Sequence, residues 1–115
     1  MRMRLDEYSV AFLTLNEHRP VLSAEEADAL QNSHMSHLAD LHEAGHLLAA
    51  GPLHNDFYRG LLIFKVTVEV ARRLLEADPA VRAGRFELTV ARWMVPGGTI
   101  DFTTARFPRS IAEIG

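Results

Sequence analysis

Three stretches of this chain are apolar at every position: Val10-Ala11-Phe12-Leu13, Leu47-Leu48-Ala49-Ala50 and Leu61-Leu62-Ile63-Phe64. Successive side chains of a strand point to opposite faces of its sheet. A sheet built from these runs therefore has no naturally wet side and needs a dry cover on both faces. Around each run the residues read as a short strand: Tyr8–Leu15, rich in β-branched and aromatic residues, His46–Leu53 and Gly60–Val66. A fourth strand, Phe86–Val95, opens with strict alternation of Phe86, Leu88 and Val90 against Glu87, Thr89 and Ala91. Pro52 cannot donate to a ladder, so it marks a sheet edge or the end of its strand.

Two helices separate the strands. Ser23-Ala24-Glu25-Glu26 has the spacing of a capping box, and Gly45 is suited to the left-handed residue that ends a helix. A first helix is thus expected over Ala24–Ala44, roughly 31 Å long at ~1.5 Å per residue. Ala27, Leu30, Leu38 and Leu41 lie at −7, −4, +4 and +7 from His34, so a histidine stands at the centre of an apolar stripe, where a leucine is expected. Thr67 caps the second helix, Val68 to Ala77, which Pro79 stops by disfavouring the helical conformation at Asp78. Asp78 follows Ala71 and Leu74 at helical spacing, which places a carboxylate at the end of the buried face.

The resulting order, β-α-β-β-α-β, is the α+β ferredoxin-like pattern: a four-stranded antiparallel sheet with two helices on one face. Residues 1–96 hold this domain and residues 97–115 form a tail. Thr99–Phe107 reads either as a further strand or as an arm reaching a partner subunit. For the uncovered sheet face two covers are available, a second copy packed sheet to sheet or the tail itself. The tail has few large apolar residues, so a homodimer is the expectation.

Composition closes other routes. The net charge is −3, and the five arginines between Arg72 and Arg92 are interleaved with Glu69, Glu76, Asp78 and Glu87, so no nucleic-acid footprint is expected. Without cysteine there is no thiolate nucleophile or disulfide. The basic N-terminus leads into no hydrophobic targeting segment, and no apolar run approaches ~20 residues. No membrane association and a cytoplasmic setting are expected.

The segment from His34 through Leu41-His42-Glu43-Ala44-Gly45 to Leu48-Ala49-Ala50-Gly51-Pro52, the run Leu61–Phe64, and Glu76-Ala77-Asp78-Pro79 followed by Val81-Arg82-Ala83-Gly84 together resemble the YCII-related family. The resemblance spans about residues 8–96. It implies a dimeric α+β barrel, in which two ferredoxin-like protomers join sheet to sheet, and an active-site pair that falls on His34 and Asp78. It departs from the family at Ala80, where relatives often carry an aromatic residue, and in the length of the tail.

A carboxylate beside an imidazole fixes its tautomer and supports its protonated form, which suits proton transfer near neutrality. The same pair can instead serve only to join two helices. The resemblance implies isomerase, lyase or dehydrochlorinase-like chemistry on a small organic substrate without a cofactor; the other reading is a ligand-binding or interaction module. Gly51 and Pro52, with Trp93 on the last strand as the lining of a pocket between sheets, are the expected substrate-binding residues, though packing at the dimer face is the plainer reading of Trp93. His34/His37 and His42/His46 have spacings that can hold a metal, but Gly45 separates the second pair and no third ligand is fixed, so no metal site is expected. No phosphate-cradling glycine loop or nucleophile elbow occurs.

Overall fold

The computed structural model describes residues 2–114; Met1 and Gly115, the outermost residues of the basic N-terminus and of the tail, lie outside them. The elements follow in the expected order: β1 (Leu5–Leu15), α1 (Ala24–Glu43), β2 (Leu47–Pro52), β3 (Tyr58–Phe64), α2 (Val68–Glu76), α3 (Pro79–Arg82) and β4 (Phe86–Pro96). The strands form one sheet in the order β2-β3-β1-β4, with every neighbouring pair antiparallel. This is the ferredoxin-like α+β arrangement.

Alternation along β1 sorts the two faces. Ala11 and Leu13 point to the helices and join Leu41 of α1, Leu75 of α2, and Leu62 and Phe64 of β3 in the buried core. Tyr8, Val10 and Phe12 point the other way. Ser9, buried on the helix side, satisfies its hydroxyl by donating to the Val66 carbonyl at 2.6 Å.

The helix ends obey the chain's local chemistry. Ser23 accepts from the Glu26 amide at 3.1 Å and donates its own amide to the Glu26 carboxylate at 3.1 Å. Gly45, at φ 83°, closes α1: the Gly45 amide donates to the His42 carbonyl and the His46 amide to the Leu41 carbonyl, the paired bonds of a Schellman ending.

The Glu26 carboxyl is held below its ordinary value of 4.5, first by the Ser23 amide and then by the Ser23 hydroxyl, against a small effect of burial. A carboxyl lowered on folding adds stability that is present above its unfolded value and disappears as pH falls through the folded one. Wild type should therefore melt above Glu26→Gln at neutral pH, and the two melting curves should converge in acid.

Two features differ from the sequence expectation. β1 begins at Leu5, ahead of Tyr8, because β4 runs to Pro96 and the two strands pair without a break from Leu15↔Phe86 to Leu5↔Pro96. Pro79 does not simply stop α2: it starts a separate four-residue turn of helix, α3, with Asp78 as its N-cap. Proline at the first helical position and glycine just past the end are the signature of such a turn.

The tail forms no strand over Thr99–Phe107. Phe102 and Phe107 lie five positions apart and would point to opposite faces of a strand; here each fills a different site. Phe102 packs edge-on against Tyr8, 5.4 Å between ring centres, at one end of the open sheet face. The chain then folds back over α1, ending in a 3-10 turn at Ile111–Glu113. Val10, Phe12, Leu61 and Ile63 stay half-buried on the open face. Among the described residues no helix is long and apolar enough to cross a membrane.

Candidate active site

α3 and α1 bring the two expected residues together. As N-cap of α3, Asp78 turns one carboxylate oxygen, Oδ1, onto the Ala80 amide at 2.8 Å. This leaves Oδ2 facing α1, where it accepts from His34 Nδ1 at 2.6 Å. Asp78 is completely buried and His34 is 8% exposed. An ionised carboxylate can only accept, so the shared proton sits on Nδ1, and in the neutral imidazole Nε2 carries the lone pair.

Nε2 makes no hydrogen bond among the described residues, and no buried side-chain nitrogen or oxygen there lacks a partner. It therefore keeps some accessible surface, and His34 lines a cavity. That cavity, about 290 Å³, lies between α1 and the sheet and is lined from all four strands. Leu13, Leu15, Met35, Leu38, Leu62 and Phe86 supply an apolar wall, and Phe86 lies 6.0 Å from the His34 ring. The polar groups are Gln31, Arg59 and Arg85.

Of the other expected residues, Gly51 and Pro52 form the β2 wall of the same cavity. Trp93 lies elsewhere. It pairs with Tyr8 on the open sheet face, ring centres 6.1 Å apart, is 37% exposed, and is not among the residues lining the His34 cavity. The open face has its own shallow groove, between Ala49, Gly51, Leu61 and Ile63.

The remaining histidines of α1 are held by main-chain oxygens. His37 Nε2 donates to the Leu74 carbonyl at 2.9 Å, joining α1 to α2. His42 Nδ1 donates to the Leu47 carbonyl at 2.7 Å, and its other nitrogen accepts from the Ala105 amide at 3.4 Å. Among the described residues, no three histidines, aspartates or glutamates converge as metal ligands.

Several lining residues escape a reading of the sequence. Gln31 lies one turn before His34 and was open to discovery by helical spacing. Arg85 follows the left-handed Gly84 (φ 79°) and donates its amide to the Ala80 carbonyl, so α3 fixes both Asp78 at its start and Arg85 beyond its end. Phe107, Pro108 and Ile114 come from the tail, and no local pattern announces them.

The tail reaches the cavity because α1 grips it. Phe107 stacks on His42, 3.9 Å between ring centres and 10° from parallel. Arg109 pairs with Asp40 at 2.9 Å and Glu43 at 3.0 Å and donates to Ser36 Oγ at 3.0 Å. Hydrogen bonds to Glu43 and then Asp40 raise the guanidinium's pKa above its ordinary value. Exposed pairs of this kind are screened by solvent and add little to global stability. Arg109→Ala should accordingly leave global melting nearly unchanged while hydrogen exchange speeds up in residues 105–114.

Fold and site together define a small ferredoxin-like domain in which a buried carboxylate holds an imidazole at the wall of a largely apolar cavity. The model of the YCII-related domain matches residues 10–94, and the chain belongs to that family. A search of curated proteins gave no significant match. Among solved structures, the chain is similar to 5-chloro-2-hydroxyhydroquinone dehydrochlorinase of Burkholderia phenoliruptrix AC1100 in complex with 2,5-dihydroxybenzoquinone. The two are 20% identical, with a TM-score of 0.56, over 75% of this chain and 92% of that one. At this identity the likeness speaks for the fold.

Proposed function

We propose that the protein is an enzyme acting without a cofactor, in which His34 transfers a proton to and from a small organic substrate and Asp78 orients it. The observation that carries this reading is the 2.6 Å His34–Asp78 hydrogen bond at a histidine that lines a cavity and whose other ring nitrogen has no partner among the described residues. A pair serving only to join helices has no need of that cavity. His34 Nε2 takes a proton from an acidic carbon or hydroxyl of the substrate. The resulting imidazolium is stabilised by Asp78, which keeps its own charge throughout. The proton then returns to a different substrate atom, giving isomerisation, or stays behind while an anionic group departs with its bonding electrons, giving elimination. Membership of the family and the dehydrochlorinase as a structural neighbour favour elimination.

The test is chloride release from 5-chloro-2-hydroxyhydroquinone and related chlorinated hydroxyaromatics by wild type and His34→Ala. Loss of turnover in the variant is expected; turnover equal to wild type would end the assignment.

A second copy is proposed as the cover for the open face, because Val10, Phe12, Leu61 and Ile63 are left half-buried there and Phe102 reaches only the Tyr8 end. Light scattering at micromolar concentration should give twice the 12.9 kDa of one chain. A single-chain mass would refute the pairing.

A further inference from the structure

We propose that the His34 cavity recognises a small planar organic anion, with Arg85 and Arg59 as the residues that read its charge. The inference rests on the functional reading above in taking this cavity as the substrate site. It goes further by naming the class of substrate.

Charge is distributed unevenly around the cavity. Two arginines line it, and no aspartate or glutamate does so among the described residues. The carboxylate beside His34, Asp78, is committed to His34 and to the Ala80 amide. Arg4, Arg92, Arg106 and Arg109 are each paired with carboxylates of the chain. Arg59 and Arg85 form no ion pair among the described residues. Arg72, Arg73 and Arg82 also lack such partners, but they line no cavity, whereas the exposed Arg59 and the half-buried Arg85 do.

Each cation has a structural reason to be at the cavity. Arg59 sits where the β1–β3 register jumps from Leu13↔Gly60 to Thr14↔Tyr58. An extra residue at such a bulge is re-aimed relative to regular strand. Arg85 is held by the ending of α3, and its guanidinium carbon lies 5.5 Å from the centre of the Phe86 ring. The same ring is 6.0 Å from His34. Phe86 is thus a shared flat neighbour of the proton-transferring group and of a half-buried cation.

This arrangement selects among ligands. An uncharged apolar molecule gains from the wall but leaves the guanidinium groups unused. An anionic oxygen, as in a carboxylate, phenolate or enolate, matches a guanidinium fork with charge-assisted hydrogen bonds. A planar body fits against Phe86 and Phe107. Beside an apolar surface these fixed cations also favour negative charge that develops on the substrate as His34 removes a proton.

The experiment titrates benzoate, and separately its uncharged counterpart benzamide, into nitrogen-15-labelled protein and follows backbone amides. Benzoate should shift the amides of Gly51, Gly60 and Arg85 and bind about ten-fold tighter than benzamide. In Arg85→Gln that preference should fall to about three-fold or less, and in Arg59→Gln/Arg85→Gln it should vanish, with amides outside the cavity unmoved. Equal affinities in wild type, a preference that survives in the double variant, or no benzoate binding at millimolar concentration would overturn the proposal. Because binding is the readout, the two assignments can fail separately. Full turnover in His34→Ala with the charge preference intact removes the catalytic role alone. An inactive His34→Ala with no charge preference in wild type removes only the anion specificity.

Discussion

Asp78→Asn is expected to lower turnover by roughly 10³–10⁴-fold while the protein still folds. The amide retains an oxygen for the Ala80 amide, so the N-cap of α3 survives; asparagine caps as well as aspartate. What changes is the side facing α1. There an NH₂ group replaces the oxygen that accepts from His34 at 2.6 Å. Two donors cannot share one bond, so the imidazole proton moves to Nε2, and that nitrogen becomes a donor. The ring stays in place and loses the lone pair that takes the substrate's proton. Undiminished turnover of a chlorinated hydroxyaromatic by this variant would reduce the pair to a structural clip between helices.

The second large effect concerns stability. His34→Leu restores the residue that the stripe of α1 calls for, yet it should destabilise the protein by about 3–5 kcal/mol, because it strands a buried carboxylate oxygen without a partner. For a chain of this size that corresponds to a fall of roughly 10–25 °C in Tm, compared at one protein concentration because association shifts melting. Combining His34→Leu with Asp78→Asn removes the stranded charge and keeps the cap, and should recover most of the loss. That recovery is the signature of two side chains acting as a unit. Additive losses, or a leucine variant that melts like wild type, would show that His34 and Asp78 do not depend on each other.

Both expectations begin from positions that could be picked out before any coordinates. His34 interrupted a stripe that Leu30, Leu38 and Leu41 otherwise kept apolar, and Asp78 continued the spacing of Ala71 and Leu74. Local rules also placed the four strands, the capping box at Ser23 and the stop at Gly45. The limits were equally physical. α3 is too short for any periodicity to show, and its proline read as a stop when it is also a start. Trp93 has a parity, but parity alone does not say which face holds a cavity. Arg59 and Arg85 are polar residues beside turns, and nothing within their own segments says what lies across from them. The tail's route depends on meeting Arg109 with Asp40 and Glu43, residues far away along the chain.

The position of β1 has a consequence for how this protein is made. Of the strands of this sheet, the first to leave the ribosome is an inner one, and its longest partner, β4, is the last of the four. Until Pro96 has emerged, the nascent chain carries β1 with one flank of amides and carbonyls unmet, the kind of edge that recruits other chains. Distant pairings of this sort also slow folding, since chain closure must precede any reward. A reading frame interrupted within β4 would thus release an adhesive, half-zipped sheet and no smaller working protein, and newly made chains should depend on chaperone shielding until the final strand docks.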